Sequence, residues 1–468
     1  MRRAVRSGWM VVLVAAVAAR AAPPAPLDPA ALHAQAARLL RVVRLTLESE
    51  DSKRAELALP GVVVAPDGLT MVSVDDEVLS YPRSYFKRVE FSEPGADQRR
   101  RAARWVGVHE SLGLLFVEPV PKESHARHLN LGQAREPRFG EEALLVALLG
   151  ESCGQRATFE TARVGPNVGG AEFALAGLTG LHGGTGALVL GSDGAFLGLL
   201  TGTGEPSDDV GSDADARAPA ASDFITQPLA TRAATLAPAI AFAAKERRDW
   251  PEPWLGLAGL SVASDEIVAS YGLPDQTVAL VVGAVVPGYP AAAAGVHAKD
   301  FLIRLDDQPI ERGATDDETL ASLLDRVKSM RVGDEVSLTL WRDGGSRVVK
   351  LKLAEGPTPE HRARREFVAA LGLAVRELVF DDRFYRRLDA RQQGVVVAHL
   401  VQSGPAETAE LQEGDIVDKL DDSPITNLDD FRRVTRARLD ARAPAMVFSV
   451  VRGTSQRVVA RLELTGPR

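Results

Sequence analysis

Gly61-Val-Val-Val-Ala-Pro-Asp-Gly-Leu-Thr-Met-Val-Ser-Val-Asp75 decides how this chain is read. An apolar run at 62–64 stops at Pro-Asp-Gly, residues that punctuate strands by fixing or freeing the backbone, and a second run follows. The same pattern continues from residue 41 to about 200, with further short runs at 114–117, 143–149 and 187–190. Repeated short strands with turn signals predict an all-β barrel or sandwich. Before it, Leu32, Leu39 and Leu40 fall at helical spacing and predict a short helix over 27–41.

At 468 residues the chain exceeds one ordinary domain. Its composition is globular, with 45% hydrophobic and 25% charged residues. A net charge of −8 and the lack of a basic stripe argue against nucleic acid as a partner. Arg2, Arg3 and Arg6, an apolar run at 9–19 and Ala19-Arg20-Ala21 fit a secretory signal over residues 1–22. An uncleaved anchor is the alternative, though the run is short for a bilayer. No later segment reaches ~18 consecutive apolar residues, so no membrane span is expected after signal cleavage. Cys153 is the one cysteine, which rules out an internal disulfide.

Residues 204–222 are acidic and small and predict a loop; 229–247 are Ala-rich and predict a helix. Beyond Asp249-Trp-Pro-Glu-Pro253 the chain repeats itself over about 100 residues. The first copy holds Trp254-Leu-Gly-Leu257, Pro290-Ala-Ala-Ala-Ala-Gly295 and Lys299-Asp-Phe-Leu-Ile-Arg-Leu305. The second holds Leu371-Gly-Leu-Ala374, Gly404-Pro-Ala406 and Glu413-Gly-Asp-Ile-Val417. Both copies resemble PDZ domains of the circularly permuted bacterial type.

The 61–75 stretch resembles, without a gap, the segment of HtrA/Deg-family trypsin-like proteases that ends in their catalytic histidine, and here that position holds Asp75. Leu144 to Gly150 is similar to the family's strand leading to the oxyanion loop, where Gly150-Glu-Ser-Cys-Gly154 replaces Gly-Asn-Pro-Phe-Gly. Phe173-Ala-Leu-Ala-Gly-Leu-Thr-Gly-Leu-His-Gly-Gly-Thr-Gly-Ala187 resembles the nucleophile segment and puts Thr185 at the serine position; a one-residue shift would put Gly184 there. Ser111-Leu-Gly-Leu-Leu115 matches the strand after the triad aspartate, so Ser111 stands where the carboxylate belongs, and a short preceding loop could bring Glu110 in.

A carboxylate does not replace imidazole as the base that takes a serine proton near neutral pH. The resemblance therefore implies a mostly β protein, a trypsin-like double β-barrel (23–240) followed by two PDZ domains (250–355 and 360–468). With Asp75, Ser111 and Thr185 in the triad, no intact catalytic set and no enzymatic activity are expected. A rewired Cys153–His182 pair is one alternative; in the plainer reading Cys153 is buried packing and His109 and His182 are loop surface. No metal site and no cofactor are expected, since His125 and His128 lack a third ligand and Asp75-Asp76-Glu77 and Asp381-Asp382 read as solvent-facing.

A PDZ groove takes a peptide as an added antiparallel strand, with loop amides around the terminal carboxylate. The resemblance places those loops at Trp254, Leu255, Gly256, Leu257 and at Leu371, Gly372, Leu373, Ala374. The first unit is expected to bind more than the second, where bulky, charged residues 407–410 replace the small run 291–294. Together these readings imply a periplasmic or secreted pseudo-protease that binds unfolded segments or protein C-termini, as a quality-control factor or scaffold. The rival readings are an HtrA/Deg endopeptidase with an unusual active site and a regulatory partner of an active HtrA-like protease. The family's trimer is expected to be weak, because residues 27–56 contain no Phe, Trp or Tyr to anchor an interface.

Overall fold

The computed structural model describes residues 28–95, 99–168, 171–178, 185–202, 228–274, 276–389 and 391–464. The expected signal at 1–22, the acidic loop at 204–222, and His182 and Gly184 lie outside the described residues. Mostly β architecture is borne out.

The first six strands are β1 (Leu40–Glu48), β2 (Arg54–Val63), β3 (Thr70–Ser73), β4 (Phe86–Ser92), β5 (Arg101–His109) and β6 (Leu114–Pro119). They close into a barrel in the order β1-β2-β3-β6-β5-β4. A second barrel uses β7 (Glu142–Leu148), β8 (Ala157–Val168), β9 (Glu172–Ala176), β10 (Leu188–Gly191), β11 (Phe196–Gly202) and β12 (Leu229–Arg232), ordered β10-β11-β12-β9-β8-β7.

Strand alternation explains the continuous apolar runs of the sequence. Successive side chains point to opposite faces of a strand, and here both faces are buried. On β6, Leu115 and Val117 fill the first barrel while Leu114 and Phe116 face the second. On β10 and the residue before it, Ala187 and Val189 fill the second barrel while Leu188 and Leu190 face the first. Arg44 adds a polar tie, donating from its buried guanidinium to Ser92 Oγ at 2.9 Å and to Gln155 Oε1 of the second barrel at 2.6 Å.

Two predicted helices are shorter than the pattern suggested. Helix α1 covers Pro29–Ala36 and a single tight turn follows at Ala37–Leu39. Leu40 already pairs with Val62, because the strand's burial outweighs its helical spacing. Between β3 and β4 lies the short helix α2 (Asp76–Ser80). Residues 229–232 are β12, and only Ala233–Glu246 form helix α3, which packs Leu236 and Ile240 between the barrels.

The two C-terminal copies share their bond pattern. In the first, the Ala291 amide donates to the Leu255 carbonyl (3.0 Å) and the Val286 amide to Gly256 (2.9 Å); in the second, Ala406 donates to Leu371 (3.0 Å) and Val401 to Gly372 (2.9 Å). Each buries one aspartate against an arginine of a late strand, Asp300 with Arg342 and Asp415 with Arg452. Each also carries a long helix beside its sheet, Asp316–Lys328 in the first and Leu428–Asp440 in the second.

Candidate functional site

Asp75, Ser111 and Thr185, the residues expected at the triad positions, lie on turns that the backbone brings close to the end of β3. Val74 donates to the Gly113 carbonyl at 2.8 Å, which brings the turns carrying Asp75 and Ser111 together. Gly186, next to Thr185, sits against β2 and β3, where a Cβ would lie 2.9 Å from Pro60 Cγ and 3.5 Å from Ser73 Cβ. Its φ of +91° also suits glycine alone. Thr185 is half-buried at this junction.

Two of the three side chains are held in local bonds. Asp75 is exposed and caps α2, its carboxylate accepting from the Val78 amide at 2.9 Å. The Ser111 hydroxyl donates to Glu252 Oε2 at 3.3 Å. Glu110 bends toward the C-terminal half, where His361 Nε2 lies 2.7 Å from Oε1 and Arg362 also donates to it. Burial pushes the Glu110 carboxyl up, but His361 and the Arg362 charge outweigh it and hold it below the usual range. Glu252 is pushed up by burial and by the Glu110 charge.

Several expectations for single residues are corrected. His109 is buried, not loop surface: it stacks on Trp250 at 4.6 Å. Burial, then the Arg362 charge, pull its imidazole down to about 4, so it is neutral at pH 7. Cys153 is exposed, on a one-turn segment Glu151–Cys153 between β7 and β8, with Sγ 3.9 Å from Ser152 Oγ. Asp382 is buried, because Arg376 grips it with two bonds of 2.6 and 2.8 Å. The Asp75-Asp76-Glu77 group does face solvent. Sequence spacing gave no sign of Glu252, Arg362 or Trp250, since their partners lie more than a hundred residues away.

The first PDZ-like groove lies between the strands Leu257–Ala258 and Ser261–Val262 and the helix Asp316–Lys328. Leu255 and Leu257 are buried, 3% and 5% exposed. Trp254 packs edge-on against Tyr289 at 4.6 Å and against Phe380 of the second copy at 5.4 Å. Gly256 has φ +83°, and a Cβ there would lie 2.4 Å from Tyr289 Cβ, so only glycine lets the loop close on Tyr289. Among the described residues, strands Leu257–Ala258 and Ser261–Val262 pair on one edge only, with Ala284–Val285 and Leu280–Val281. The remaining edge can accept an added strand.

In the second copy the corresponding edge is filled. Strand Leu373–Glu377 pairs with Val395–Leu400 on one side and with Arg365–Val368 on the other. The obstruction expected from residues 407–410 is not its cause: Glu407 folds back to accept from the Ser403 amide at 2.6 Å. Leu371, Leu373 and Ala374 are completely buried in that copy's core.

These features define a double-barrel protein followed by a sheet-and-helix module, and residues 257–353 match the PDZ domain family. Among curated proteins the chain is similar to the "Periplasmic serine endoprotease DegP" of Salmonella typhimurium, 26% identical over 201 residues, covering 43% of this chain and 37% of that protein. The "Probable periplasmic serine endoprotease DegP-like" of Pseudomonas fluorescens is 30% identical over 202 residues, 41% of this chain and 39% of its own. A solved structure of "HtrA-type protease AlgW with decapeptide" superposes at a TM-score of 0.47 with 18% identity, covering 71% of this chain and all of that one. The chain is a homologue of the HtrA/DegP trypsin-like serine proteases with a PDZ domain, and its matches span about two fifths of the length of these curated relatives.

This corrects the expectation that the protein is not an enzyme. The relatives are named as serine endoproteases, and residues read by resemblance at three triad positions do not by themselves demonstrate inactivity. Among the described residues no group of three His, Cys, Asp or Glu side chains is placed to hold a metal, and no helix is long and apolar enough to cross a membrane.

Proposed function

We propose that this protein captures polypeptide segments, including C-termini, on the PDZ unit at 250–355 and handles them as a member of the HtrA/DegP endoprotease class in the bacterial envelope. One observation carries the reading: the strands at 257–258 and 261–262 keep an unpaired edge beside the helix Asp316–Lys328, with the Gly256 turn at its head. Strand addition uses main-chain bonds and tolerates many sequences, so affinity is modest, on the order of micromolar. Anisotropy titration of the full chain with a fluorescent nonapeptide ending in a free valine, against the same peptide amidated, tests it. The free carboxylate should bind about tenfold more tightly; equal affinity, or no binding of either, contradicts the proposal.

The names of the relatives favour a second element, endopeptidase chemistry with an altered active site. The hydroxyl at the aligned serine position belongs to Thr185, and a threonine needs a base to attack. That base is not Asp75, whose carboxylate caps α2. Cleavage of unfolded casein that vanishes in Thr185→Ala would assign the nucleophile. Cleavage that survives it excludes Thr185, and no cleavage by the wild type contradicts this element.

A further inference from the structure

The second copy's groove carries a strand of its own chain. Arg365–Val368 runs antiparallel to Leu373–Glu377 in the register Arg365↔Arg376, Glu366↔Val375, Phe367↔Ala374, Val368↔Leu373. The helix Leu428–Asp440 packs against both strands. That is the position and direction in which a PDZ groove takes a peptide. The loop amides at its head are also engaged: Leu371 donates to the Val368 carbonyl at 2.9 Å and Gly372 to Ala369 at 3.1 Å. Charge fastens the strand to the helix, with Arg432 2.8 Å from Glu366 and Arg364 reaching Asp429 at 3.3 Å.

The same strand docks the second copy on the first barrel. Arg365 Nε lies 2.8 Å from Glu50 Oε1 in the turn between β1 and β2, with both side chains largely buried. Nearby, His399 Nε2 lies 3.0 Å from Asp51. Among the described residues the first copy shows no counterpart: its residues Pro253–Trp254 pair with Ala354–Glu355 instead of with the groove strands.

We propose that Arg365-Glu-Phe-Val368 is a built-in ligand of the second PDZ-like unit, occupying its groove in place of external polypeptide and, through Arg365–Glu50, fixing that unit to the first barrel. Release of the strand opens a second peptide site and loosens the docking together. A tethered strand acts at an effective concentration of order millimolar. With a strand of micromolar intrinsic affinity, this weakens the apparent binding of an external peptide to the groove about a thousandfold.

Binding stoichiometry of the full chain with the free-valine nonapeptide tests this. Glu366→Pro/Val368→Pro removes the two amide donors that the register turns toward Leu373–Glu377 and releases the strand; Glu366→Arg reverses the charge facing Arg432. Each variant should bind one more peptide per chain than the wild type, with Glu366→Arg weaker than the double proline. Hydrogen exchange at Ile416–Leu420 reports whether the unit remains folded; if the double proline unfolds it, Glu366→Arg decides alone. No added site in a folded variant overturns the proposal, as does a wild type that already binds two peptides. A wild type that binds none contradicts the function proposed for the first unit, yet a site gained on release still upholds this inference.

Discussion

Acidification should weaken the first barrel through His109. This imidazole is 6% exposed, stacked on Trp250, and depressed to about 4 by burial and the Arg362 charge. In the unfolded chain a histidine titrates near 6.5. Because the folded value is the lower one, the stabilisation is complete above about pH 6.5 and is lost as pH falls toward 4. At about 1.36 kcal/mol per unit, going from pH 7 to 4.5 costs roughly 2–3 kcal/mol from this residue. His109→Phe keeps a flat ring on Trp250 and removes the titration. Hydrogen exchange of Leu114–Pro119, which pairs with His109, reads the local effect after correction for intrinsic rates. The wild type should lose about 2–3 kcal/mol more protection than the variant over that range. Equal slopes, or an imidazole titrating above 6 by NMR, would refute the reasoning.

Three further substitutions follow from the geometry. Gly256→Ala combines left-handed strain of about 1–2 kcal/mol with a clash against Tyr289 worth about 1–3; it should destabilise the first PDZ unit, seen by exchange at Phe301–Leu305, and abolish peptide capture. Arg342→Met leaves Asp300 buried without its two-pronged partner and should cost about 3–5 kcal/mol, read by exchange at Glu335–Arg342. Burial pushes the Asp300 carboxyl up, but Arg342 and the His297 amide outweigh it, so the wild-type pair protects at neutral pH and fails only below the ordinary carboxylate range, near pH 4. Arg44→Met strands Gln155 and Ser92 between the barrels and should lower barrel stability by about 2–4 kcal/mol, measured by urea titration of the full chain.

The barrels were legible because several of their strands are buried on both faces: runs such as Leu114 to Val117 carry no polar residue to break the pattern. The repeat was legible because the same turn and aspartate recur in order, and the structure gives them the same bonds. Contacts between distant residues were not. Nothing local marks that Glu110 reaches Arg362, that Trp250 shelters His109, or that Arg365 finds Glu50. Asp382 read as solvent-facing because its charge is visible in sequence and its partner Arg376 is not. Residues 365–368 were invisible as an occupant, because a strand's register is set by its neighbours.

Peptide capture by the first unit is tested most directly by a hydrogen-exchange footprint of the full chain with and without saturating nonapeptide. Amides at 256–262 should gain protection while those of Leu373–Glu377, already paired on both edges, stay unchanged. Protection gained at 373–377 and none at 256–262 would contradict the account.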